Sequence, residues 1–339
     1  MTRPAGDEDA TATPFRVVEL IGRGSSYTCD LPGPNADAPA VVLLHGLFAT
    51  GGLNWSPFFD DLTDHYRVIA VDHRGHGRGI VGDDPFTLEA CADDVAALLT
   101  TLGTGPAILV GYSMGGPIAQ LVWRRHPDVV RGLVLCATAG RFGLTRIDDL
   151  LLPVVDRAGR ALSLMPPSIR TLITQPALSL LVPDPERKAE IAAALALHDL
   201  PSISAAVRSI LRFSSVEWLA EIDVPTAVVK AERDRVVGPE HQQQLTDLIP
   251  DAVVFPIDAD HLACFDDVDT FRTAMLEACA SVVSRSESEE LTVMRLSWRE
   301  RWRRRRVGRL SSWRPPRWRP RRRSLRGGRR DRRHGASGR

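Results

Sequence analysis

Val110-Gly111-Tyr112-Ser113-Met114-Gly115-Gly116 decides how this chain is read. An apolar run, Ala107-Ile108-Leu109-Val110, precedes it and has the character of a strand. The segment that follows, Pro117-Ile118-Ala119-Gln120-Leu121-Val122-Trp123, has the character of a helix. A Gly-x-Ser-x-Gly turn between strand and helix holds its serine in a strained backbone conformation, with the hydroxyl exposed at a sheet edge. Glycine two places before and two places after the serine has a steric reason. A Cβ at either position would strike the neighbouring strand or helix.

A serine hydroxyl is a weak nucleophile at neutral pH and needs a base, which in turn needs an orienting acid. Two downstream segments supply candidates. The β-type run at 225–231 ends just before Asp234, and the run at 252–257 ends just before Asp258-Ala259-Asp260-His261. Loops that follow the strands of a parallel sheet gather at one edge, where ligands bind. Ser113, Asp234 and His261 can therefore meet although they are far apart in sequence. Asp258 and Asp260 are too local to His261 to sit behind its ring. A fourth segment, Val41-Val42-Leu43-Leu44-His45-Gly46-Leu47-Phe48, carries a strand into a His-Gly turn. The N–H of Leu47 there, with that of Met114 after the serine, would form a two-donor pocket for a developing oxyanion.

Together these motifs resemble the α/β-hydrolase superfamily, in its capped, esterase- or lactonase-like branch. The resemblance spans roughly residues 15–284. It rests on His45-Gly46, Asp72-His73-Arg74-Gly75-His76-Gly77, Gly111-Tyr112-Ser113-Met114-Gly115-Gly116, Asp234 and His261. It implies a mostly parallel central sheet with helices on both faces and an inserted helical cap. The implied triad is Ser113, Asp234 and His261, the implied oxyanion donors are Leu47 and Met114, and no cofactor or metal is called for. His45 is expected to shape the oxyanion loop. Two positions depart from the family's pattern: Asp260 stands where Gly usually precedes the histidine, and Gly79 stands where a Ser often closes the Asp-x-Arg-Gly motif.

His73 and His76 with Asp72 read as a structural turn, because zinc needs three or four ligands and no further His or Cys clusters with them. Gly22-Arg23-Gly24 reads as a hairpin turn, with no Lys-Ser or Lys-Thr to make it a phosphate loop. His126 falls at a helix end, where a cation suits the helix dipole. His198 and His241 fall in helical patterns and are expected to face solvent. The five cysteines are scattered and form no Cys-x-x-Cys pair, which points to free thiols in a reducing cytoplasm. The polar, acidic N-terminus lacks the apolar core of a secretory leader.

Eight strand-like runs, at 15–20, 26–30, 41–44, 68–71, 107–110, 133–137, 226–231 and 253–257, alternate in the later part with helical patterns. Thr87 is placed to cap a helix running through Leu102. The expected organisation is a disordered lead at 1–14, a core at 15–139 and 219–284, a helical cap at 140–218, and an Arg-rich disordered tail at 285–339. The cap is rich in Leu, Ile, Met and Ala, which suggests a small-molecule substrate with an apolar portion.

The net charge of +1 hides a division. From Arg295 to Arg339 there are 20 Arg against two acids, so this stretch carries about +18 and the rest of the chain about −17. Arginine interleaved with tryptophan suits nucleic acid or an anionic membrane, and equally an idle segment or a misassigned C-terminus. The chemistry expected of the core is hydrolysis of a carboxylic ester, lactone or thioester through an acyl-enzyme. The alternatives are a C–C hydrolase or lyase of the same fold, and a slow-turnover sensor.

Overall fold

A computed structural model of the chain describes residues 14–81, 86–142 and 198–294. All eight strand-like runs are strands of one sheet: β1 (Phe15–Leu20), β2 (Gly24–Leu31), β3 (Ala40–Leu44), β4 (Arg67–Val71), β5 (Ala107–Tyr112), β6 (Val130–Cys136), β7 (Thr226–Ala231) and β8 (Val253–Ile257). Their order is β1-β2-β4-β3-β5-β6-β7-β8. The β1–β2 hairpin joins β4 antiparallel, and every pairing from β4 onward is parallel. The central strands β3 and β5 are buried along their whole length, which is why they read as continuous apolar runs instead of alternating ones.

Eight α-helices accompany these strands among the described residues: α1 (Gly51–Trp55), α2 (Phe59–Thr63), α3 (Leu88–Leu102), α4 (Gly115–Arg125), α5 (Leu200–Arg212), α6 (Pro239–Leu248), α7 (Ala263–Asp266) and α8 (Val268–Met294). Thr87 caps α3, its side chain accepting from the Ala90 N–H, and Gly103 closes the helix in the left-handed conformation. The two faces of the sheet bury separate cores. Val42, Leu44 and Leu109 pack with α3 and α4 on one face. Val41, Leu43 and Val110 pack with Trp55, Phe58 and Phe271 on the other.

The helix α8 continues past the boundary expected at residue 284. Arg285 ties it to the carbonyls of Thr226 and Asp251, and Ser286 is buried against Arg131. Composition alone misplaced that edge: the buried apolar repeat of this helix (Phe271, Met275, Ala278, Val282) ends near it, and the next residues, Arg285 and Ser286, are held by hydrogen bonds. The lead over 1–13, most of the expected cap (143–197) and the Arg-rich stretch Arg295–Arg339 lie outside the described residues. No described helix is long and apolar enough to cross a membrane. All five cysteines are free and buried.

Candidate active site

Ser113 follows β5 directly and has φ +50°, a left-handed conformation that only a well-braced turn imposes on a residue with a side chain. The braces are explicit. The Ser113 N–H donates to the Cys136 carbonyl at 3.0 Å, and its own carbonyl accepts from the Gly116 N–H and the Thr138 hydroxyl. A Cβ at Gly111 would run into the backbone of Gly115, and one at Gly115 into the carbonyl of Leu44. Those two close approaches account for both glycines of the motif.

The expected acid and base arrive beside the serine. The N–H groups of Glu232 and Arg233, just beyond β7, donate to the carbonyls of Ile257, at the end of β8, and Ala259, just beyond it, and bring the two loops together. His261 Nε2 lies 3.0 Å from Ser113 Oγ, and His261 Nδ1 lies 2.8 Å from Asp234 Oδ2. Asp234 Oδ1 accepts from the N–H groups of Val236 and Val237, and Oδ2 also accepts from the Gln242 side-chain amide at 2.9 Å. Burial pushes the Asp234 carboxyl upward. The hydrogen bond and charge of His261, joined by the two backbone donors, outweigh that and hold it below the usual carboxylate range. Asp260 turns instead to the Leu262 N–H, and Asp258 pairs with Arg233 at the surface. The acid behind the ring is therefore Asp234, and Asp260 does not compete with it for the ring.

The His-Gly turn faces the serine. An added Cβ on Gly46 would sit 3.4 Å from Ser113 Cβ. The Gly46 N–H donates to Asn54 Oδ1 at 3.0 Å. Its carbonyl accepts from His45 Nδ1 at 2.8 Å and from the Ala49 N–H. The tautomer of His45 follows from its other nitrogen: Nε2 accepts the His73 N–H at 3.0 Å, so the proton resides on Nδ1. The Gly46 carbonyl and the Leu47 N–H belong to one planar trans peptide, so anchoring the carbonyl at His45 turns the Leu47 N–H the opposite way. Met114 precedes α4, whose N-terminal amides favour negative charge at the same point. Among the turn and loop hydrogen bonds of the described residues, neither Leu47 N–H nor Met114 N–H donates to a protein acceptor.

The Asp-x-Arg-Gly turn is a support for this loop. Asp72 accepts from the Gly51 and Arg78 N–H groups, and Arg74 makes a two-pronged pair with Asp94. A Cβ at position 79 would meet the carbonyls of Asp72 and His73, so this turn requires the glycine that stands there. His198 corrects an expectation. It is buried, not solvent-facing, because Nδ1 accepts the Gly77 N–H at 2.8 Å, an interaction 121 residues distant in sequence. His241 remains partly exposed. His45, His73, His76 and His198 form a chain of neighbouring rings, with centroids 4.4 Å apart for His45–His73, 5.3 Å for His45–His76 and 5.1 Å for His76–His198. Burial keeps all four neutral, with His73 and His76 lowered to about 3. No group of His, Cys, Asp or Glu among the described residues is arranged to hold a metal ion.

With this geometry in place, the relatives can be set beside it. Residues 39–160 match the family model described as the alpha/beta hydrolase fold. The enol-lactonase of Burkholderia xenovorans LB400 superposes with a TM-score of 0.68 at 23% identity, over 78% of this chain and 100% of that one. The chain has the α/β-hydrolase fold. A thermophilic esterase from Thermogutta terrifontis is another of its structural relatives, with a TM-score of 0.65 and 26% identity over 80% of this chain and 99% of that one. Among curated proteins, this chain is 36% identical to the mouse sn-1-specific diacylglycerol lipase ABHD11 over 136 residues, 40% of each chain. It is 41% identical to the pimeloyl-[acyl-carrier protein] methyl ester esterase of Neisseria meningitidis over 113 residues, 32% of this chain and 40% of that one. The matched stretch spans between a third and two-fifths of the length of such curated relatives.

Three supporting residues escaped the sequence reading. Gln242 lies in a run of three glutamines on α6 with nothing to mark it. Asn54 reads as an ordinary helix residue. Tyr112 was in plain view inside the Gly-x-Ser-x-Gly motif, but a tyrosine there shows no sign of where its hydroxyl reaches.

Proposed function

We propose that this chain is a serine hydrolase that cleaves a carboxylic ester, lactone or thioester through an acyl-enzyme. The observation that carries the reading is the relay from Ser113 Oγ to His261 Nε2 (3.0 Å) and from His261 Nδ1 to Asp234 Oδ2 (2.8 Å). Ser113 Oγ attacks the carbonyl carbon while His261 Nε2 takes its proton. Asp234 fixes the tautomer and stabilises the imidazolium that results. The N–H groups of Leu47 and Met114 receive the oxyanion. Collapse of the tetrahedral intermediate expels the alcohol, thiol or ring oxygen, which His261 protonates. Water, deprotonated by His261, then attacks the acyl carbon, and Ser113 leaves with its proton restored. A nucleophilic carboxylate would be needed for haloalkane or epoxide opening by this fold, and position 113 offers a hydroxyl.

The lactonase, esterase and lipase among its relatives support acyl-transfer chemistry without specifying the substrate. A panel of nitrophenyl esters, lactones and acyl thioesters tests the reading. Turnover by the wild type that vanishes in Ser113→Ala is expected. No turnover across the panel would favour the sensor.

A further inference from the structure

Behind the triad lies a buried polar contact that the reaction itself does not use. Tyr112 immediately precedes Ser113, and its side chain is almost completely enclosed. Its ring meets Trp55 and Phe271 edge-to-face, with centroids 6.2 and 5.5 Å away. Its hydroxyl donates to the backbone carbonyl of His261. Burial holds the phenol well above its ordinary range, so it remains a donor at any working pH. Among the described residues no backbone N–H donates to that carbonyl.

The two ends of this contact differ in rigidity. Tyr112 is the last residue of β5, paired with Cys136 of β6, and both aromatic neighbours fix its ring. His261 sits in the loop between β8 and α7, where the ring is held by Ser113 and Asp234 and the carbonyl by the Tyr112 hydroxyl. The same rigid strand end thus sets the position of both the nucleophile and the base. The Cys264 thiol, which burial raises to about 12, lies beside the Tyr112 hydroxyl and the Asn54 amide. Asn54 in turn holds the Gly46 N–H of the oxyanion loop.

We infer that Tyr112 is a positioning residue for the base: its hydroxyl sets the backbone of His261 at the distance from Ser113 that proton transfer requires. The inference deepens the hydrolase reading and rests on it for its kinetic consequence. Loss of the hydroxyl removes the partner of the His261 carbonyl and leaves the loop free to drift. Misplacement of a reacting group by about 1 Å can cost on the order of a hundredfold in rate, and a loop still restrained by two ring contacts should lose less.

Tyr112→Phe is the test, with kcat, KM, thermal melting and the downfield proton resonance of His261 Nδ1–H measured together. That resonance is assigned by its disappearance in His261→Ala. The expected result is kcat down about tenfold, KM within about twofold, and a shifted or broadened resonance in a protein still folded at the assay temperature. Site-specific p-aminophenylalanine at 112 restores a donor and should recover most of kcat and the resonance, whereas p-methylphenylalanine should not. This pair also stands in for Tyr112→Phe if that variant does not fold. Wild-type kcat and an unchanged resonance in the folded donor-less variants would overturn the inference, as would a loss of melting temperature alone. Absence of turnover in the wild type would count against the hydrolase reading, and the resonance would then decide the role of Tyr112 by itself.

Discussion

Two sets of histidines lie in this molecule under opposite constraints. His261 stands between a hydroxyl and a buried carboxylate, so its charged form has a partner waiting. His45, His73, His76 and His198 pack ring against ring, and the charges that bear on His45 and His76 from this group are those of other imidazoles. In the proposed reaction the first arrangement makes a proton carrier. The second makes a neutral scaffold, in which His45 and His198 accept backbone N–H groups and the His45 Nδ1–H donates to the Gly46 carbonyl. One residue type does chemistry or holds shape according to whether a carboxylate faces it.

The comparison predicts unequal consequences. The largest is expected for His261→Ala, which removes the proton carrier and should lower kcat by about 10⁴-fold or more, measured on the best ester of the panel. His45→Ala should leave His261 working and instead cost affinity for the oxyanion. A loss of kcat equal to that of His261→Ala would erase the distinction. Asp234→Asn comes next, with about 10³- to 10⁴-fold expected, because Asn can hold the wrong tautomer of His261 and cannot stabilise its charge.

Acid distinguishes the sets by stability. A buried imidazole whose folded pKa is depressed binds its proton in the unfolded state first. Its stabilising contribution is therefore complete above the ordinary value near 6.5 and is lost as pH falls toward the folded value, about 3 for His73 and His76. The unfolding free energy should fall between pH 6.5 and 4 by up to about 1.4 kcal/mol per pH unit for each such ring, and the melting temperature should fall with it. His73→Asn with His76→Asn should flatten that slope. A slope unchanged by the double substitution would show that the cluster does not govern acid sensitivity. The smallest effect belongs to Gln242→Leu, which leaves Asp234 one donor short and the Ala231 N–H without its acceptor. About 1–3 kcal/mol of stability should be lost, read by denaturant unfolding, with kcat falling less than for Asp234→Asn.

How far the sequence could be read follows from the range of each interaction. The strands were legible because a doubly covered parallel sheet demands unbroken apolar runs, as at Val41 to Leu44 and Ile108 to Val110. Ser113, Asp234 and His261 were legible because each follows such a run. His198 was misread because the N–H it accepts belongs to Gly77, and no local pattern encodes a partner so remote. Tyr112 was missed for the same reason, its partner His261 lying far along the chain. Asn54 and Gln242 bond the nearby Gly46 and Asp234, but helical periodicity reports only that such a residue is buried and not what its amide holds.

The central claim is that Ser113 is a nucleophile activated by His261. Labelling of the purified full chain with a fluorophosphonate, followed by mass mapping of the modified peptide, tests it most directly. A single adduct on Ser113, formed rapidly by the wild type and far more slowly by His261→Ala, is predicted. An unmodified protein after prolonged exposure, or an adduct on another side chain with Ser113 untouched, would contradict it.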